Sequence, residues 1–77
     1  MAEKNEPQYR IVVKFEEGTN RTIYNDDEGR PLTEETWEAE YEYWSHARTI
    51  DVKNRYGELE SIEIVGVSAY KGTRRIG

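Results

Sequence analysis

Thr33-Glu34-Glu35-Thr36-Trp37-Glu38-Ala39-Glu40-Tyr41-Glu42-Tyr43-Trp44-Ser45-His46-Ala47 is the stretch whose reading decides the fold, because two periods fit it. From Trp37 to Tyr43 large or small apolar residues alternate with glutamates, the period-2 pattern of a strand with an aromatic face. At about 100° per residue, the same stretch brings Trp37, Tyr41 and Trp44 into one arc, with Ala47 and Tyr43 on one flank. Glu34, Glu35, Glu38 and Glu42 then gather in another arc. The helical period also gives Thr33 a use as a cap, and it sets Glu34 and Glu35 in a first turn where the helix dipole favours negative charge. It predicts a helix over 33–47, with a strand over 36–44 as the competing assignment.

The flanking sequence is easier to read. Before the helix, Asn25-Asp26-Asp27-Glu28-Gly29-Arg30-Pro31 combines turn formers with a proline that lacks a ladder donor, so it is a loop. Upstream of it, Tyr9, Ile11, Val13 and Phe15 alternate with Arg10, Val12 and Lys14 as a strand with one buried face. Glu16-Glu17-Gly18-Thr19 turns the chain into Arg21-Thr22-Ile23-Tyr24, completing a hairpin. After the helix, Thr49-Ile50-Asp51-Val52-Lys53 and Leu59 to Tyr70 form a second hairpin around Asn54-Arg55-Tyr56-Gly57-Glu58. In its last strand Ile62 and Ile64 share one face whereas Val65 and Val67 fall on the other, and a β-bulge near Gly66 would reconcile them.

The predicted fold class is therefore α+β: a two-layer ββαββ arrangement, with an antiparallel sheet of about four strands and one helix packed on one face. Residues 1–7 are expected as a disordered N-terminal arm, 8–71 as a single domain and 72–77 as a flexible basic tail. At 77 residues with 35% hydrophobic content, the core is expected to be thin and to draw much of its bulk from the nine aromatics. With no cysteine there is neither a disulfide framework nor a thiolate zinc site. No apolar run suggests a signal segment or a membrane span, so the expected compartment is the cytoplasm. Asn20-Arg21-Thr22 matches a glycosylation pattern that has no use there.

Nothing in the chain assembles into a recognisable catalytic or metal site, and no cofactor is expected. His46 is the only histidine, and Ser45 beside it would point about 100° away on a helix, so the two form no nucleophile–base pair. A histidine near a helix C-terminus is favoured there as a cation. Carboxylates are abundant, but a thin single core offers no apolar pocket to separate the roles of an acid and a base. The 25–29 loop lacks the spacing and distal glutamate of a calcium loop.

Charge is the informative feature. The net charge of −5 divides along the chain as +1 over residues 1–15, −8 over 16–42 and +2 over 43–77. Glu34, Glu38 and Glu42 stand at i, i+4 spacing, where like charges cost the helix a few tenths of a kcal/mol per pair. No lysine or arginine lies between Arg30 and Arg48 to relieve them.

Asp26, Asp27, Glu28, Glu34, Glu35, Glu38, Glu42 and Tyr43 are thus the candidate partner-binding residues. The expected partner is a protein with a basic surface, including nucleic-acid-processing enzymes on which carboxylates would stand in for phosphates. In size and charge, though in no motif, the chain is analogous to small acidic inhibitors encoded by phages. The alternative is a small nucleic-acid-binding domain. Arg10, Lys14, Arg48, Lys53, Arg55, Lys71, Arg74 and Arg75 would contact phosphates while Tyr56 or Tyr70 stacks on bases. Monomer and homodimer are both compatible with a sheet that carries a helix on one face only.

Overall fold

A computed structural model describes residues 8–77 of the chain, so the arm expected over residues 1–7 lies outside the described residues. The element order is β1 (Tyr9–Phe15), β2 (Asn20–Ile23), α1 (Trp37–His46), β3 (Thr49–Lys53), β4 (Leu59–Lys71) and β5 (Arg74–Arg75). The sheet is antiparallel with spatial order β2-β1-β4-β3, and β5 pairs β4 as a fifth strand. The α+β class and the single helix among the described residues agree with expectation. The ββαββ order holds apart from the added last strand.

The 37–43 stretch is helical, so period 3.6 prevails over period 2. Trp37, Tyr41 and Trp44 pack as half-buried residues against the core, and Glu38 and Glu42 stay exposed. Regular helix begins one turn later than predicted. Thr33 accepts a bond from the Glu35 backbone N–H at 3.2 Å, while the Thr33 N–H donates to the Thr36 hydroxyl at 2.9 Å. These reciprocal bonds resemble a capping box. They hold residues 34–36 as a tight turn, and Thr36, at φ −113°, keeps that turn out of the regular helix.

β4 is the spine. Its residues 64–71 pair with β1 and its residues 59–63 pair with β3. Val13 faces Val67 and Lys14 faces Gly66, but Phe15 faces Ile64, which leaves Val65 as the extra residue of a bulge. The bulge lies where the hydrophobic pattern of the sequence places it. It returns Ile64 to the face that carries Val67 and Ala69, opposite Ile11, Val13 and Phe15, and it leaves Val65 61% exposed. The bend that accompanies such an insertion curls the sheet.

The core consists of Ile11, Val13, Phe15, Leu32 and Ala69, walled by the half-buried aromatics of α1. Leu32 reaches it because the 25–31 loop is itself closed like a small hairpin. The Leu32 N–H donates to the Tyr24 carbonyl at 2.9 Å, and Asn25 bridges Pro31. Two turns share one construction. Asp26 and Asn54 each accept two backbone N–H bonds from residues two and four further on. Gly29 and Gly57 then follow at φ +82° and +79°, the left-handed region that a glycine enters without strain.

The chain end is not the loose tail the sequence suggested. Arg74 and Arg75 pair with Lys71 and Tyr70, and the Ile76 N–H donates to the Ala69 carbonyl at 2.8 Å. Ile76 packs against the core. The apolar contact and the free edge of β4 together offset the entropy of ordering these residues.

Candidate functional site

The predicted partner-binding residues occupy two places. Glu38 and Glu42, one turn apart on α1, are exposed, and Glu34 and Glu35 in the preceding turn are exposed as well. Asp26, Asp27 and Tyr43 meet elsewhere, in a groove of about 600 Å³ between α1 and the β2 side of the sheet. Glu38 and Glu42 do not line that groove, whereas Ala39 and Tyr43 of the same helix do. Glu28 belongs to neither place. Its carboxylate lies 3.8 Å from Arg30, an exposed pair of little energetic weight.

The groove has a simple structural origin. α1 lies over β1 and β4 and not over β2, so the inner side of β2, with Arg21 and Ile23, remains open beside the helix. The 25–27 turn closes one end. Its position is set by Asp26, whose Oδ1 accepts from the N–H groups of Glu28 and Arg30 at 2.9 Å each.

The helix wall of the groove is aromatic and acidic. Tyr43 is 64% exposed and stands edge-on to Trp44, with ring centroids 5.3 Å apart and planes at 87°. The Trp44 indole N–H donates to Oε2 of Glu40 at 3.1 Å, which fixes both side chains and leaves Oε1 of that carboxylate unused by this bond. Glu40 and Trp44 were not among the predicted binding residues. Their i, i+4 spacing was the signal that could have paired them; no sequence signal could have placed β2 opposite.

Among the described residues, Arg30–Glu28 is the only ion pair. Asp26, Asp27, Glu34, Glu35, Glu38, Glu40 and Glu42, on α1 and the segments before it, therefore have no basic side chain in salt-bridge contact. Ser45 and His46 are spent locally: the Ser45 hydroxyl donates to the Tyr41 carbonyl at 2.8 Å, and His46 Nδ1 lies 2.9 Å from the Glu42 carbonyl.

The basic residues are also divided. The inward orientation of Ile11, Val13 and Phe15 sends Arg10, Val12 and Lys14 to the opposite face of the sheet. Tyr70 pairs with Arg10 on one side and Arg75 on the other and shares that face. The Arg10 guanidinium lies 4.4 Å from the centre of the Tyr70 ring. Lys53 and Arg55 belong instead to the β3–β4 hairpin, and Lys71 lies 5.6 Å from the Tyr9 ring.

No group of three or more histidine, cysteine or acidic residues among those described is arranged to hold a metal ion. No helix among them is long and apolar enough to cross a membrane. No protein-family model, curated protein or solved structure matches the chain.

Proposed function

We propose that this protein is a non-enzymatic interaction module that docks α1 and its flanking carboxylates on a basic surface of a partner protein. The partner class is nucleic-acid-processing machinery, and docking there would block the phosphate-binding surface. The observation that carries the proposal is a set of seven carboxylates on one short helix and the segments that precede it, with no ion-pair partner among the described residues. Maintaining like charges at i, i+4 costs helix stability; a basic partner surface would repay it. Steered association of this kind is fast and salt-sensitive.

The test is co-purification from an extract of the native cell, with the wild-type chain and a Glu34→Lys/Glu38→Lys/Glu42→Lys variant as parallel baits. A specific partner is expected on the wild type alone and is expected to leave in about 0.5 M salt, where screening acts over a few ångströms. Equal retention by both baits would defeat the proposal.

A second reading is favoured by one feature, the outer sheet face with Arg10 and Arg75 beside Tyr70 and Lys14 further along β1. The register assigns no described Asp or Glu of β1, β4 or β5 to that face where these three strands pair. Single-stranded nucleic acid could lie there, with α1 and its carboxylates on the far side of the sheet. A gel shift with single- and double-stranded oligonucleotides decides it, since absence of retardation at micromolar protein removes this reading.

A further inference from the structure

We propose that the groove between α1 and β2 is a socket for one arginine side chain of the docking partner. The inference rests on the docking reading and adds the group that is recognised. A groove of about 600 Å³ falls in the range of specific ligand sites and exceeds the space one side chain needs.

Three features of its lining select the occupant. Ile23 and Ala39 offer an apolar bed for a methylene stem, of the kind long basic side chains cover while their charge stays in water. Tyr43 and Trp44, set at 87° to each other, present aromatic surface to a cation, which a ring quadrupole attracts within about 6 Å. Asp27 and Glu40 line the same groove, and the bond from the Trp44 indole holds the Glu40 carboxylate in place with one oxygen unused by it. A guanidinium is flat enough to lie on a ring while donating in its own plane to carboxylates, whereas an ammonium is a compact point charge that forms no bidentate pair.

Arg21 lines the same groove and has no ion-pair partner among the described residues. It repels an incoming cation, and it can itself fold over the mouth. The chain's own arginine therefore weakens occupancy, and its removal is expected to strengthen binding.

N-acetyl-arginine amide is the probe, titrated into the full chain and followed by backbone and indole N–H resonances at low salt. Saturable shifts are expected at the Trp44 indole and at the amides of Asp27, Glu40 and Tyr43. The citrulline analogue, equal in shape but uncharged, is expected to give none, and the lysine analogue weaker ones. Glu40→Gln keeps an acceptor for the indole and so keeps the fold; it is expected to weaken arginine binding about tenfold, the scale of one charge-assisted bond. Tyr43→Ser, at an exposed position, is expected to weaken it too, and Arg21→Gln to strengthen it.

Shifts of equal size from citrulline, shifts centred on Glu34, Glu38 and Glu42, or no saturable shift at all would each overturn the socket. The two proposals fail separately. The socket falls alone if arginine ignores the groove while charge reversal at Glu34, Glu38 and Glu42 still abolishes partner capture.

Discussion

Glu16 and Glu63 come together because the Glu16 N–H donates to the Glu63 carbonyl at 2.9 Å across the β1–β4 seam. A side-chain hydrogen bond with Glu63, and then like-charge repulsion from it, hold the Glu16 carboxyl above its ordinary value of 4.5. A carboxyl whose pKa is raised on folding binds its proton more tightly in the native state. Its contribution to stability is full below the ordinary value and is lost as pH rises through the elevated one. Glu63→Gln removes the repulsion, and its amide N–H can donate to the ionised Glu16 carboxylate instead. In paired thermal melts the variant is expected to exceed the wild type at pH 7, and the difference is expected to shrink as the pH falls below 4.5. A constant difference at all pH values would contradict the assignment.

At the scale of the element, β4 depends on one inserted residue. Val65 is the bulge and faces water, whereas Val67, two positions on, sits opposite Val13 on the core face. Val65→Lys is expected to change stability by no more than about 0.5 kcal/mol. Val67→Lys is expected to cost about 2–3 kcal/mol by stripping apolar contact and drawing a charge into the core. Urea unfolding of the two variants measures both, and equal losses would mean that the register differs from the one described. β5 depends in the same way on a single anchor. Ile76→Ala is expected to lower stability by about 1–2 kcal/mol, a partial share of a fully buried side chain, whereas Arg74→Ala is expected to be near neutral.

At the scale of the molecule, the extents are 48 × 24 × 22 Å and the radius of gyration is 14.2 Å, against about 11.5 Å for a compact chain of this length. Part of the elongation belongs to the β3–β4 hairpin. β3 neighbours β4 alone among the elements, and residues 55–61 are exposed throughout. Amides of β3 and of residues 59–63 are therefore expected to exchange with solvent faster than those of β1 and of residues 67–69, as segments with few buried contacts open locally. Native-state hydrogen exchange checks this, and uniform protection would show that the hairpin opens only with the whole domain.

Local sequence determined a good deal of this protein. The alternation in Tyr9–Phe15, the helical arc of Trp37, Tyr41 and Trp44, and the mismatch of Ile64 with Val67 that demands a bulge are all periodicities. A period is set by backbone geometry before any distant contact forms. The unrelieved charge of residues 16–42 was equally plain. Only the tertiary structure decided how those charges are grouped. It set Asp26 and Asp27 with Glu40, Tyr43 and Trp44 around a groove that Glu38 and Glu42 do not line. It also ordered a basic tail that composition marked as loose. Both outcomes depend on which strands the helix covers and on which edge of β4 remains free. Those are long-range packing choices, settled by the burial of Ile11, Val13, Phe15, Leu32 and Ala69 and invisible to any local window.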